Sequence, residues 1–128
     1  YGLQIYDRGA GSVGRKFPDI YKKCIIGKLP YGKMVNEYRK YKVFMNVNIV
    51  TKSPTMFSRR VFELLACGTP VISSYALGIK QLLPSVLISK NKDETIYFLK
   101  QILNNENYWK QVSSEGIVQV FYVRLLQY

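Results

Sequence analysis

Five short apolar runs rich in β-formers recur along the chain: Leu3-Gln4-Ile5-Tyr6, Cys24-Ile25-Ile26, Val43 to Asn48, Pro70 to Ser74 and Val86 to Ser89. Each is bounded by Gly, Pro, Asn or Lys, the punctuation that flanks strands. Helical patterns lie between them. In Lys33 to Tyr41 the side chains of Met34, Tyr38 and Tyr41 fall at i, i+4 and i+7, leaving Asn36, Glu37, Arg39 and Lys40 outside. Ser58 to Ala66 puts Val61, Leu64 and Leu65 on one face, then stops at Gly68 and Pro70 as a helix end should. From Asp93 to Asn104, Ile96, Leu99, Ile102 and Leu103 form a stripe, and Asn91 with Glu94 resembles a capping box. A weaker helical pattern runs from about residue 105 to 120. Strands alternating with helices of this length predict right-handed βαβ units, hence an α/β fold with a mainly parallel sheet of about five strands.

At 128 residues the chain suits one domain spanning 1–128, with no repeat or linker to divide it. It opens on Tyr1 with no signal-peptide pattern, so it reads as a fragment of a longer protein. No apolar run approaches the ~18 residues that cross a bilayer. Cys24 and Cys67 sit in apolar stretches and make no disulfide framework; reduced thiols in a cytoplasmic protein are expected. Histidine is absent, which excludes His-based triads, imidazole bases and His-ligated metals.

In parallel α/β sheets ligands sit beyond the carboxyl ends of strands, beside helix starts. That rule selects two stretches. Gly9-Ala10-Gly11-Ser12-Val13-Gly14 has the Gly-x-Gly-x-x-Gly spacing of a dinucleotide loop. Pro18 interrupts the helix that should follow, and no acid stands about 20 residues on after a second strand. The stretch reads as a surface loop. The other runs from Ile49 to Ser58, between the third strand and the second helical pattern. There Ser58, Arg59 and Arg60 offer donors and charge to a phosphate, and Glu63 can accept two sugar hydroxyls at once. Asn46 and Asn48 should share one side of the sheet, Asn48 as the ligand contact and Asn46 as a structural amide.

The block Phe62-Glu63-Leu64-Leu65-Ala66-Cys67-Gly68-Thr69-Pro70-Val71-Ile72-Ser73 resembles the signature of GT-B-fold glycosyltransferases of the group 1/family 4 class. Leu3 to Gly9, the Leu29-Pro30-Tyr31 turn and the run from Tyr38 to Asn48 resemble the spore maturation protein CgeB-like branch. The likeness covers roughly residues 3–115. It implies a Rossmann-like three-layer domain, the C-terminal, donor-binding half of a two-domain enzyme. Such an enzyme takes a nucleotide-diphosphate sugar between its halves and passes the sugar to a saccharide or other acceptor. Glu63 matches the family glutamate that holds the ribose hydroxyls. The family's other glutamate, eight positions earlier, falls at Thr55, which supplies no carboxylate. Backbone amides of Met56 to Arg59, with Arg59, Arg60 and Arg8, would then hold the diphosphate. No cofactor and no metal are expected, because GT-B enzymes generally stabilise the leaving phosphate with helix starts and basic side chains. The catalytic residues are not assigned, and the missing N-terminal domain would supply acceptor contacts.

Charge leaves alternatives open. Of the net +11, residues 1–60 carry +10 (13 basic, 3 acidic) and residues 61–128 only +1 (6 basic, 5 acidic). One nucleotide diphosphate does not need so much. The rest faces the missing domain, an anionic acceptor, the inner membrane surface or solvent. A non-catalytic basic α/β module that binds nucleic acid or an acidic membrane is the competing reading. The aromatic-basic run Tyr38-Arg39-Lys40-Tyr41-Lys42 argues little for nucleic acid, because helical spacing buries both tyrosines. A copy that keeps the fold without transfer activity, marked by Thr55, is a third.

Overall fold

The computed structural model describes residues 2–7 and 17–126, in two compact units that divide between Met34 and Val35. In the first, β1 (Ile5–Tyr6) and β2 (Ile25–Gly27) pair in parallel, Ile5 opposite Ile25 and Tyr6 opposite Gly27. The Asp7 N–H donates to the Gly27 carbonyl at 2.9 Å. Two 3-10 turns, Asp19–Cys24 and Tyr31–Lys33, begin directly after Pro18 and Pro30.

The second unit holds a three-stranded parallel sheet in the order β3 (Phe44–Asn46), β4 (Val71–Ser74), β5 (Leu87–Ser89). Phe44, Met45 and Asn46 pair with Val71, Ile72 and Ser73, so the ends of β3 and β4 come level. Helix α1 (Met34–Tyr38) precedes β3, α2 (Arg60–Ala66) leads into β4 and α3 (Leu77–Leu82) into β5. Then α4 (Lys92–Asn104) packs on β4 and β5, and α5 (Glu106–Leu126) packs on α2 and α4. The middle strand is apolar on both faces, with Val71 and Ile72 fully buried. Around it lie Val61, Leu64, Leu65, Ile79, Leu83 and Ile102.

Local chemistry explains the boundaries. Gly68, at φ +75°, ends α2: its N–H donates to Leu65 and that of Thr69 to Leu64, the αL stop glycine favours. The Asn91 side chain caps α4 by accepting from the Glu94 N–H at 2.9 Å, and the Glu94 carboxylate reaches back to the Lys90 N–H at 2.8 Å. Asn91→Ala should therefore cost about 1 kcal/mol, read as a drop of a few degrees in unfolding temperature.

The mixed α/β, Rossmann-like class holds; the expected single sheet of about five strands does not. The five runs do become strands, but as a pair and a triplet. Period-2 patterning fixes that a segment is extended without fixing its neighbour. Along α4 only Ile102 is fully buried, and Ile96 is exposed. Cys24 and Cys67 are half-buried free thiols. Among the described residues no helix is long and apolar enough to cross a membrane.

Candidate functional site

The chain leaves β3 at Asn46 and enters the second of the two stretches picked from sequence. Here two amides lock the strand ends together. Asn46 Nδ2 donates to Asn48 Oδ1 (3.1 Å) and Ser73 Oγ (3.0 Å). Asn48 Nδ2 donates to Ser73 Oγ (3.0 Å) and the Ser74 carbonyl (2.8 Å), while the Asn48 N–H donates to Ser74 Oγ (2.8 Å). Ser73, itself buried, donates its hydroxyl hydrogen bond to the Ser74 carbonyl at 2.9 Å. Both asparagines face one side of the sheet, as their spacing required.

The loop beyond is folded on itself and tied to α3. Ser53 Oγ accepts from the N–H groups of Thr55 (3.3 Å) and Met56 (3.1 Å). Leu77 and Gly78, at the start of α3, donate their N–H groups to the carbonyls of Thr51 (2.9 Å) and Ser53 (3.2 Å). Phe57 packs against Phe62 with centroids 5.4 Å apart. An open cleft of about 490 Å³ results. Its apolar wall is Val47, Ile49, Val50, Met56 and Phe57; its polar groups are Asn48, Thr55 and Ser58.

Helix α2 starts at Arg60, two residues after Ser58. Its first residue is preceded by Arg59, whose Nε donates to Glu63 Oε1 at 3.2 Å, an i,i+4 ion pair with side chains 81% and 33% exposed. Arg60 and Glu63 both act electrostatically on the Tyr38 phenol. Tyr38 is only 2% exposed, and its hydroxyl has no hydrogen-bond partner. Burial pushes the Tyr38 phenol above its ordinary pKa; Arg60 opposes the rise and Glu63 adds to it. Among the described residues no three His, Cys, Asp or Glu side chains cluster as metal ligands would.

A family model described as glycosyl transferase-like matches residues 4–125, nearly the whole chain. The chain belongs to the glycosyl transferase-like family. Neither the curated proteins nor the solved structures give a match. In this glycosyl transferase-like chain the 62–73 block builds most of α2, the Gly68 stop and the first three residues of β4. The block therefore places Glu63 one turn beyond the cleft loop.

Of the residues singled out from sequence, Asn48, Thr55 and Ser58 come together on the cleft. Arg59, Arg60 and Glu63 follow on α2, outside its lining. Arg8 and the Gly9–Gly14 stretch lie outside the described residues. The Met56 N–H donates to Ser53 Oγ. The Asn48 amide nitrogen is likewise engaged by Ser73 and Ser74. Sequence reasoning missed Ser73, although a strand run that turns from Val-Ile to Ser-Ser at its carboxyl end signals a polar contact there. It also read Tyr38 only as core.

Proposed function

We propose that the chain is the donor-binding half of a GT-B glycosyltransferase of the CgeB-like branch. It takes a nucleotide-diphosphate sugar, and its partner half supplies the acceptor contacts. The observation that carries this reading is Glu63, the single acid at the start of α2, one turn beyond a cleft walled by Asn48, Thr55 and Ser58. Its carboxylate takes the ribose hydroxyls. Exchange of the exposed Arg59–Glu63 pair for a ribose diol is cheap, since such pairs contribute ~1 kcal/mol or less. Arg59, once released, and Arg60 counter the diphosphate, with the hydroxyls of Thr55 and Ser58 as further donors. Preorganised cations stabilise the leaving diphosphate, so the reading needs no metal and no cofactor. Alone, the chain binds donor and transfers nothing. The acceptor approaches over the apolar wall, where Ile49 is 98% exposed, which suits a saccharide carried at a membrane surface.

Calorimetric titration with UDP, GDP, ADP and TDP tests the reading. One diphosphate should bind in preference to the others, unchanged by a chelator. Glu63→Ala should weaken it about tenfold to a hundredfold, the loss of one or two hydrogen bonds to a charged acceptor. Salt-sensitive binding to any polyanion, indifferent to Glu63, would instead favour the basic module.

A further inference from the structure

Among the described residues, Ile49 and Val47 are the most exposed large apolar side chains of the second unit, at 98% and 79%. Met56 and Val50 are exposed on the same cleft. This is not the exposure of a loose loop. Asn48, between Val47 and Ile49, is fastened to Ser73 and Ser74, and the carbonyls of Thr51 and Ser53 accept from the start of α3. The backbone is held on both sides of Ile49 while its side chain stands almost wholly in water. An apolar patch kept outside the core in this way marks a contact surface. The charge around it has one sign. Between Glu37 and Glu63 the chain has six basic residues and no acidic one. Lys52 stands in the loop itself, exposed and without an ion pair among the described residues. A protein surface of mixed charge would match the apolar side chains alone. Apolar tips accompanied only by cations match an anionic bilayer, whose acyl boundary takes the former and whose headgroups take the latter.

We propose that the cleft loop is a docking surface for an anionic bilayer: Val47 and Ile49 enter the acyl boundary, and Lys52 lies among the lipid phosphates. Two apolar side chains and a few cations give reversible attachment, not insertion. Because the loop is already fastened to β4 and α3, little chain freedom is lost on docking. The cleft mouth then opens at the membrane surface, where an acceptor saccharide arrives attached to a lipid. That consequence rests on the donor-site reading above; the contact with the bilayer does not.

Co-sedimentation of the full chain with lipid vesicles tests this, using phosphatidylcholine alone and phosphatidylcholine mixed with phosphatidylglycerol. The mixed vesicles should bind the chain about tenfold or more tightly than the neutral ones. Ile49→Ser, which leaves the charge unchanged, should weaken binding to the mixed vesicles about tenfold, and Lys52→Ala about fivefold. Ile20→Ser is the control: it alters a side chain 79% exposed in the first unit and should bind as the wild type does. All three variants should unfold at the wild-type temperature, since none of these side chains is buried. Wild-type binding by Ile49→Ser, equal weakening by Ile20→Ser, or no binding to the mixed vesicles overturns the proposal. So does vesicle binding that vanishes once the partner half is joined to the chain, because the apolar wall then belongs to that half. Failure of the nucleotide titration with vesicle binding intact removes the donor-site reading and leaves the membrane contact standing.

Discussion

Gly78→Ala should lower the unfolding temperature by about 10 °C or more and abolish tight nucleotide binding. A Cβ at Gly78 would stand 2.5 Å from the Pro54 carbonyl oxygen and 2.7 and 2.9 Å from two Phe57 ring carbons. The nearest of these is backbone, so no side-chain rotation relieves it. The loop must lift off α3, and the bonds from Leu77 to Thr51 and from Gly78 to Ser53 go with it. Overpacking of this kind costs about 1–3 kcal/mol, and each broken hydrogen bond adds roughly 1 kcal/mol. Alanine's better helix propensity returns at most about 1 kcal/mol. The strain enters where Thr55, Phe57 and Ser58 form the cleft, so affinity should fall with stability. Gly32→Ala is the control: a Cβ there meets nothing within 4 Å, and the change should stay within about 0.5 kcal/mol. Circular-dichroism melts and calorimetry on both variants check this.

The same Gly78 shows where sequence reading stopped. Helix α3 escaped it because Ala76 offers no capping side chain and glycine stands in the first turn. The start of that helix is satisfied by carbonyls from residues 51 and 53, a pairing no local pattern encodes. Where the signal is local, reading and structure agree. Asn91 caps α4, Gly68 stops α2, and Val61, Leu64 and Leu65 are buried as spaced. Helix α5 runs on to Leu126, past residue 120, because Phe121-Tyr122-Val123 carries no stop signal. The candidate site divides along the same line. Asn48, Thr55 and Ser58 follow from the rule that ligands sit at strand ends. The electrostatic effect of Arg60 and Glu63 on Tyr38 links elements more than twenty residues apart, and spacing within one helix says nothing of it.

Ser73→Ala should destabilise the chain by about 2 kcal/mol, or roughly 5–10 °C, although it removes a single oxygen. That oxygen accepts from both Asn46 and Asn48 and donates to the Ser74 carbonyl, which uses its full hydrogen-bonding capacity. Alanine fills the space but leaves two amide protons without their acceptor at the level ends of β3 and β4. Because Asn48 also forms the cleft wall, its side chain should turn towards the open cleft, and nucleotide affinity should fall several-fold. The coupling is testable without a ligand. If the network acts as one unit, Ser73→Ala made on an Asn46→Ala background should cost at least 0.5 kcal/mol less than on the wild type. Strictly additive costs in denaturant melts would mean that the two asparagines hold the strand ends independently.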